Sequence, residues 1–589
     1  MTMDSKPYYL RRTKARPFGG RIMAAVANVV SRERREGIIV SLAASITFRE
    51  ATHAWGGSGP IPYREDQIAG GYADYLQRKL NKHGAVRIYT ASVAELLFST
   101  SLYADLEAAG WQRKFFHARG ATELLRLSPP KGRGTLEMVS LAAIGARVDP
   151  EPSEPLTAPR RLLRAWEEVE RWIRFVRDQC GGACALTLAA QAWQEWRRTL
   201  PEDPQERNSL PLVYHDRKVA AFSRQAYAGG RCQAFQVGTF TDGPFALIDR
   251  RSAYPYILRT YRFPRSLVGW VPDPSAEDLT RAIRGLQRCV IADVELDTDV
   301  PLYPVRGAHR AEHPTGKLRT TLCTASLIDA IQRGHLVRCH SAMVWSGYNP
   351  FEGYISHWWN ERQEARRVKD SPREGAAKLM LNALSGKLAA RSTETLIDEP
   401  AEPGDVLSEG GTIPYRDLPE EVRPLAAGAS PEDQAGELAS WNEVRLFGRR
   451  TVQVEGAEAR ASLPHVAAHC TDYGRAELNQ AIERVGWENV LYADTDSLIA
   501  RVEAIPPNMR RESEQLGAWG LVLEADEVRI DGPKRYVIGG KIAASGTPRT
   551  VQEATADTEV ELRVAWSHHL AGHAGRGYVT APRIFTPAH

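Results

Sequence analysis

Asn489-Val490-Leu491-Tyr492-Ala493-Asp494-Thr495-Asp496-Ser497-Leu498-Ile499-Ala500-Arg501-Val502 reads as two short apolar strands joined at a tip that carries two acids in three residues. Apolar runs on either side of a polar tip are the pattern of a β-hairpin, which brings both carboxylates to one point. A partner stands far upstream. Phe245-Ala246-Leu247-Ile248 is another buried-strand pattern, and it delivers Asp249 at its end before Arg250-Arg251-Ser252-Ala253-Tyr254-Pro255 turns into the helix-like Tyr256-Ile257-Leu258-Arg259. Three carboxylates at strand ends suit hard divalent cations that also hold phosphate oxygens. Two such ions ~3.5–4 Å apart can stabilise both the attacking and the leaving oxygens of an in-line displacement. Asp is common in turns, so Asp-Thr-Asp-Ser alone is equally the pattern of a solvated turn.

A third segment adds cations. Glu374 to Arg391 has the composition of a helix, and Lys378, Asn382 and Gly386 recur every fourth residue, which places them along one face. Lys378 suits a triphosphate, and the bare backbone at Gly386 suits the close approach of a base pair. Upstream, Arg362, Arg366 and Lys369 share a face, and Asp370-Ser371-Pro372 supplies a turn, so two antiparallel helices are expected to point cations at one anionic ligand. Basic helical faces are often only solvated, and this one by itself decides nothing.

The chain of 589 residues has room for three or four domains. Its 43% hydrophobic and 25% charged residues exclude a disordered chain and a membrane one, and no apolar run approaches the ~20 residues that span a bilayer. A net charge of +4 is too small to announce nucleic-acid binding, so such a surface has to be a local groove. Seven scattered Cys without C-x-x-C spacing read as reduced thiols. The first 35 residues are basic, and three readings stay open for them: an arm that touches DNA, an organellar transit peptide, or a solvated leader. Residues 36–200 alternate short apolar strands with helix-like stretches and suggest an α/β layer structure ending near 205. Glu399 to Leu438, rich in Pro, Gly and acids, reads as an insertion or mobile loop.

Taken in order, Asp249-Arg250-Arg251-Ser252-Ala253-Tyr254-Pro255 resembles the first palm motif of family B DNA polymerases, and Lys378-Leu379-Met380-Leu381-Asn382-Ala383-Leu384-Ser385-Gly386 their fingers motif. Tyr492-Ala493-Asp494-Thr495-Asp496-Ser497 resembles their second palm motif, and Lys534-Arg535-Tyr536 the Lys-x-Tyr signature at the primer end. The resemblance implies a template-directed DNA polymerase that adds dNMPs to a 3′-hydroxyl using two Mg²⁺ ions, with Mn²⁺ able to substitute. Asp249, Asp494 and Asp496 would hold the ions, with the backbone carbonyl of Arg250 as a further ligand. Tyr254 would lie under the sugar and exclude a 2′-hydroxyl. Arg366, Lys378 and Asn382 would bind the nucleotide, and Gly386, Lys534 and Tyr536 the DNA. The sequence departs from the family at Ala383, where Ser is usual, and at Ser385, where Tyr is usual.

Tyr227-Ala228-Gly229-Gly230 resembles the Tyr-x-Gly-Gly sequence of protein-primed polymerases from phages and linear plasmids, which implies that Tyr227, Gly229 and Gly230 contact DNA and that a terminal protein is a partner. In that subgroup the first domain is a 3′–5′ exonuclease with four carboxylates. Here the expected Asp-x-Glu strand reads Val40-Ser41-Leu42-Ala43-Ala44-Ser45 without an acid, Ala91 and Glu95 replace the usual Asn and Asp, and no Tyr lies between Tyr103 and Tyr214 for the third motif. One surviving carboxylate cannot hold a metal pair, so a degenerate domain without proofreading is expected.

The implied fold class is a multidomain α/β and α+β chain. It comprises a basic arm (1–35), an RNase H-like exonuclease-type domain (36–205), a palm with an insertion (206–353), fingers (354–391), the rest of the palm with a second insertion at about 395–440 (392–540) and a small thumb (541–589). Primer-template DNA and dNTPs are the expected partners, with no membrane. The expected compartment is the cytoplasm of a bacterial or phage-infected cell, or an organelle if the basic N-terminus is a transit peptide. Two other readings are a specialised repair, lesion-bypass or defence polymerase, and a nucleic-acid-binding scaffold with a fossil palm. The retained cluster of acids argues against the scaffold, because like charges repel unless a metal is bound.

Overall fold

The structure is a computed structural model that describes residues 7–10, 12–14, 18–35, 38–50, 61–63, 71–91, 93–98, 102–119, 122–146, 158–202, 210–214, 216–306, 311–400, 407–414, 438–459, 461–511, 513–544, 560–562 and 578–583. The carboxylate-bearing strands lie in a five-stranded antiparallel sheet in the order Cys232–Ala234, Val490–Asp494, Ser497–Arg501, Phe245–Arg250, Trp519–Ala525. Alternation along these strands feeds two cores. Ala246, Ile248, Ala493, Leu498 and Ala500 pack on the helix Pro464–Val485 through Leu478, Ala481, Ile482 and Val485. Phe245, Leu247, Leu491, Tyr492 and Ile499 pack instead on Val528, Ile530, Tyr536 and Ile538 of a second, four-stranded sheet. Both faces of the three central strands are therefore covered, and there only strand ends present polar groups.

The helices Glu352–Arg367 and Ser371–Leu388 run antiparallel, as expected. Lys369 takes the left-handed conformation (φ 57°), and the Asp370 side chain accepts from the backbone N–H of Arg373 at 3.1 Å, capping the second helix ahead of Pro372. Their inner faces are welded to the N-terminal domain. Trp196 stacks on Phe351 with ring centres 5.0 Å apart and donates its Nε1–H to the carbonyl of Pro350 at 2.9 Å, while Phe175 meets Trp358 at 5.6 Å.

In the N-terminal domain the strand Arg21–Arg35 runs parallel to Ala85–Thr90, which runs parallel to Thr135–Ser140. Met23, Ala25, Val86, Ile88 and Met138 face one core, and Ile22, Ala24, Tyr89 and Val139 face the other, which is closed by Trp166, Val169 and Trp172. This corrects one expectation. The sheet of this domain begins at 21 and not at 36, because the run from Ile22 belongs to the strand Arg21–Arg35 and its residues Ile22 to Ala25 are buried on both faces, a pattern that in sequence looks like a short leader. Val40–Ser45, read as the place of the missing acids, lies in the antiparallel strand Ile38–Glu50, which pairs with Arg21–Arg35 and not with Ala85–Thr90. Arg21–Arg35, the strand that does pair with Ala85–Thr90, has no acid before Glu33. The side chain of Glu95 lies outside the described residues.

Two inserted sheets interrupt the palm. The first comprises Phe263–Pro272, Leu336–Tyr348, Arg288–Thr298 and Gly316–Cys323, followed by the helix Thr324–Gln332. The second comprises Arg391–Pro400, Arg449–Glu458, Leu438–Leu446 and Leu407–Pro414. Of the expected loop, 407–414 and the chain from 438 are paired strands of this sheet, and 401–406 and 415–437 lie outside the described residues. Cross-strand ion pairs such as Arg450 with Glu399 at 2.9 Å and Glu443 at 2.8 Å take the place of the apolar alternation that would have marked it. Its turn residue Phe447 docks on Tyr103, with ring centres 4.8 Å apart.

The thumb expected at 541–589 falls mostly outside the described residues. Lys541–Ala544 completes the sheet beneath the palm, and Tyr578–Arg583 pairs with Ile38–Glu50. All seven cysteines are free, and among the described residues no helix is long and apolar enough to cross a membrane.

Candidate active site

Strand pairing settles the geometry of the acids. Asp249 pairs across with Ser497, and Ser497 pairs with Asp494 across the hairpin, so the ends of three strands meet. The backbone N–H of Arg250 donates to the carbonyl of Asp496 at 2.8 Å, locking the strand end to the turn. Asp249 is the exposed residue of an otherwise buried strand. With Asp496, Tyr254, Lys378 and Asn382 it lines an open cleft of about 400 Å³. One wall is the exposed face of Ser371–Leu388, and the other is the edge strand Trp519–Ala525.

Two carboxylates on one cleft floor cannot both hold their charge cheaply. The Asp496 carboxyl is pushed up to about 7, first by burial, then by the charges of Asp249 and Asp494, with Lys534 opposing. Asp249 is raised by desolvation, against the pull of Lys541 and Lys378. Asp494 is held differently. It receives Lys534 Nζ at 2.6 Å, the Tyr492 hydroxyl at 3.3 Å and the Thr495 hydroxyl at 3.1 Å. The hard oxygen donors of Asp249 and Asp496 and the mutual repulsion of their charges fit a divalent cation. Among the described residues no three His, Cys, Asp or Glu side chains stand close enough to hold one unaided, and Asp494 is paired with Lys534.

The structure gathers most of the expected residues and redistributes others. Arg366 is spent on Glu374 at 2.8 Å and does not line the cleft. Arg362, one turn earlier on the same face, lines it instead and donates to the Ser252 hydroxyl at 3.1 Å. The helical period made both eligible; Glu374 lies near both, 2.8 Å from Arg366 and 3.5 Å from Arg362, and only Arg362 also reaches the cleft. Arg251 lines the cleft, and Lys541 acts on Asp249. Both were missed by sequence reasoning, Arg251 within a motif read for its neighbours and Lys541 beyond any motif.

Gly386 is exposed, and a Cβ there would meet nothing within 4 Å, so no packing inside the chain requires a glycine. Tyr536 is buried, its ring centre 5.1 Å from that of Tyr492, and Lys534 caps the same tyrosine by donating its backbone N–H to the Tyr492 hydroxyl at 2.8 Å. Tyr227, Gly229 and Gly230 are half-buried behind the acidic turn. A Cβ on Gly230 would stand 2.8 Å from the Thr495 hydroxyl, so only glycine lets this segment seat the turn.

Residues 182–401 match the family described as DNA polymerase type B, organellar and viral. Over 367 residues the chain is 25% identical to the DNA-directed DNA polymerase of Enterobacteria phage PRD1, covering 61% of this chain and 57% of the phage protein, so it spans a little over half the length of that relative. In fold it is similar to Phi29 DNA polymerase with primer-template DNA (TM-score 0.62, 12% identity, 96% of this chain and 100% of that one). It is also similar to the ternary complex of that polymerase with incoming nucleotide (TM-score 0.61, 12% identity, 96% and 100%). The fold is accordingly that of an exonuclease-type domain followed by a right-hand polymerase, and over residues 182–401 the chain is similar to the type B DNA polymerases of the organellar and viral group.

Proposed function

We propose that the chain is a template-directed DNA polymerase that adds dNMP units to a 3′-hydroxyl, with Asp249 and Asp496 as ligands of Mg²⁺ and Asp494 joining them when Lys534 releases it. One observation carries this reading: Asp249 and Asp496 meet on the floor of a cleft whose wall presents Lys378 and Asn382. Two bound ions, Mg²⁺ or Mn²⁺, supply charge stabilisation for the attacking and leaving oxygens. The chain's own residues position the reactants. Lys378 and Arg362 take up triphosphate charge, Tyr254 floors the sugar site, and Lys534 and Tyr536 hold the primer end.

The same reading extends to the absence of proofreading, supported by the acid-free, apolar faces of the strand from Ile22 to Ala25. It extends to protein priming of a phage or mobile element, supported by the phage relative and by the two inserted sheets. The test is extension of a 5′-labelled primer on its template with Mg²⁺ and dNTPs, beside an Asp249→Ala, Asp496→Ala double variant. Extension by the unaltered chain alone is expected, with primer length stable when dNTPs are withheld. Equal products from both proteins would refute the site, and shortening of the primer would refute the loss of proofreading.

A further inference from the structure

The helix Pro464–Val485 carries a polar seam inside the protein. His465, His469, Asp472, Arg475 and Asn479 are 1, 0, 0, 2 and 8% exposed, and their spacing puts them on one stripe of the helix. Buried ions persist where partners satisfy them. Asp472 accepts from the backbone N–H groups of Ala325 at 2.9 Å and Ser326 at 3.2 Å, and from the Ser326 hydroxyl at 2.5 Å. Those N–H groups open the helix Thr324–Gln332 of the first inserted sheet, so Asp472 caps from outside a helix that its own side chains leave uncapped. Arg475 joins Asp472 at 3.3 Å, and its other nitrogen donates to the carbonyl of Gly229. Its Nε stays buried without a partner, a cost that points to a duty at Gly229 beyond neutralising Asp472.

From Gly229 the line continues to the acids. Gly229 takes a left-handed φ of 74°, Gly230 lies against Thr495, and the carbonyl of Arg231 accepts from the Thr495 backbone N–H at 2.6 Å. Thr495 is itself left-handed (φ 56°), a conformation that a β-branched residue keeps only when its surroundings impose it. A second line runs beside the first. Arg231 is 1% exposed and bonds to Asn479 at 2.7 Å and Gln233 at 2.7 Å, and Asn479 donates to the carbonyl of Leu302 in the first insertion at 3.2 Å. Both lines begin in the inserted sheet and end on the turn between Asp494 and Asp496.

We propose that Arg475 is a positioning residue for the acidic turn, and that through Asp472 the first inserted sheet serves as the mount on which the metal-binding carboxylates are aligned. This rests on the polymerase reading for its kinetic consequence but not for its metal-binding one. The experiment compares the unaltered chain with Arg475→Met, Arg475→Lys and the milder Ser326→Ala, all at a temperature where each is folded. The readouts are kcat and dNTP KM in primer extension, and Mn²⁺ affinity of the DNA-free protein by electron paramagnetic resonance.

Arg475→Met is expected to lower kcat roughly tenfold to a hundredfold, as for a misplaced reacting group, with dNTP KM changed less than about threefold. Its Mn²⁺ affinity should fall roughly tenfold. Arg475→Lys should recover part of both, and Ser326→Ala should show the same pattern more weakly even if Arg475→Met does not fold. Lower melting temperature with kcat and Mn²⁺ affinity within about twofold of the unaltered chain would overturn the proposal and leave Arg475 a structural residue. If the unaltered chain extends no primer, the polymerase reading fails separately, and the Mn²⁺ series still decides for or against the mount.

Discussion

Lys534 Nζ stands 2.6 Å from Asp494 Oδ1, and the lysine is fixed there by its own backbone, which is left-handed at φ 63° and donates to the Tyr492 hydroxyl. The pair is partly solvated, so its worth is at most about 1 kcal/mol. Because Lys534 competes with a cation for Asp494, Lys534→Ala should tighten Mn²⁺ binding by the DNA-free protein up to about fivefold while slowing primer extension. A titration followed by electron paramagnetic resonance measures this, and an unchanged midpoint would show that the lysine and the metal do not compete.

Asp496 sets a pH dependence. Its folded pKa of about 7 lies above the ordinary 3.8, so the folded state holds a proton that the unfolded state has lost. The contribution is full below pH 3.8 and disappears as pH rises through 7, a loss of at most about 4 kcal/mol at about 1.4 kcal/mol per tenfold change in proton affinity. Without divalent ions, melting temperature should therefore fall between pH 5 and about 8. Mg²⁺ should restore it more at the higher pH, and Asp496→Asn should flatten both effects. A metal-free profile that is the same for Asp496→Asn and the unaltered chain would remove Asp496 as the cause.

Gly230→Ala puts a methyl 2.8 Å from the Thr495 hydroxyl and 3.0 Å from its Cγ2. Turnover should drop roughly tenfold or more as the acidic turn is pushed aside. Removing the obstacle with Thr495→Gly, which also suits the left-handed φ, should recover a good part of it. Failure of the double variant to exceed Gly230→Ala in single-turnover extension would mean that the glycine serves something other than the turn.

Arg362 and Arg366 should separate kinetically. Arg362→Ala is expected to raise dNTP KM by roughly tenfold, the scale of one charge-assisted contact. Arg366→Ala should change it much less, since Arg366 is occupied with Glu374. Equal effects in steady-state extension would return Arg366 to the nucleotide site.

Arg87 is 4% exposed and meets Glu137 at 2.8 Å, with Arg126 on the other carboxylate oxygen at 2.8 Å and the Phe18 ring 4.4 Å from its guanidinium. Glu137→Gln leaves Arg87 buried without its counter-ion and should cost about 3–5 kcal/mol. The loss should appear in the melting transition of the N-terminal domain. A shift below 1 °C would show that the pair bears no part of that domain's stability.

The acidic hairpin, the strand before Asp249 and the two helices around Asp370 were legible because each is a local pattern: apolar runs of fixed period bounded by turn residues. The strand from Arg21 was not, since a parallel strand buried on both faces has no alternation and its basic flank resembled a leader. The second inserted sheet escaped for the opposite reason, its strands being paired by charges and ladder hydrogen bonds with little apolar pattern to read. Arg362 could not be told from Arg366 on a helical wheel, because which of them reaches the cleft depends on how the helix packs over the palm.

By itself the amino-acid order singled out the groups proposed to carry the chemistry: acids at strand ends, a lysine and an amide one helical turn apart, and glycines ahead of the first palm strand. Local spacing encodes these, and local spacing survives in a linear string. Only the tertiary structure decided what each group faces. Asp494 belongs to Lys534, Asp496 shares its floor with Asp249, and Gly230 makes room for Thr495, because such contacts join residues far apart in the chain and depend on how sheets and helices pack.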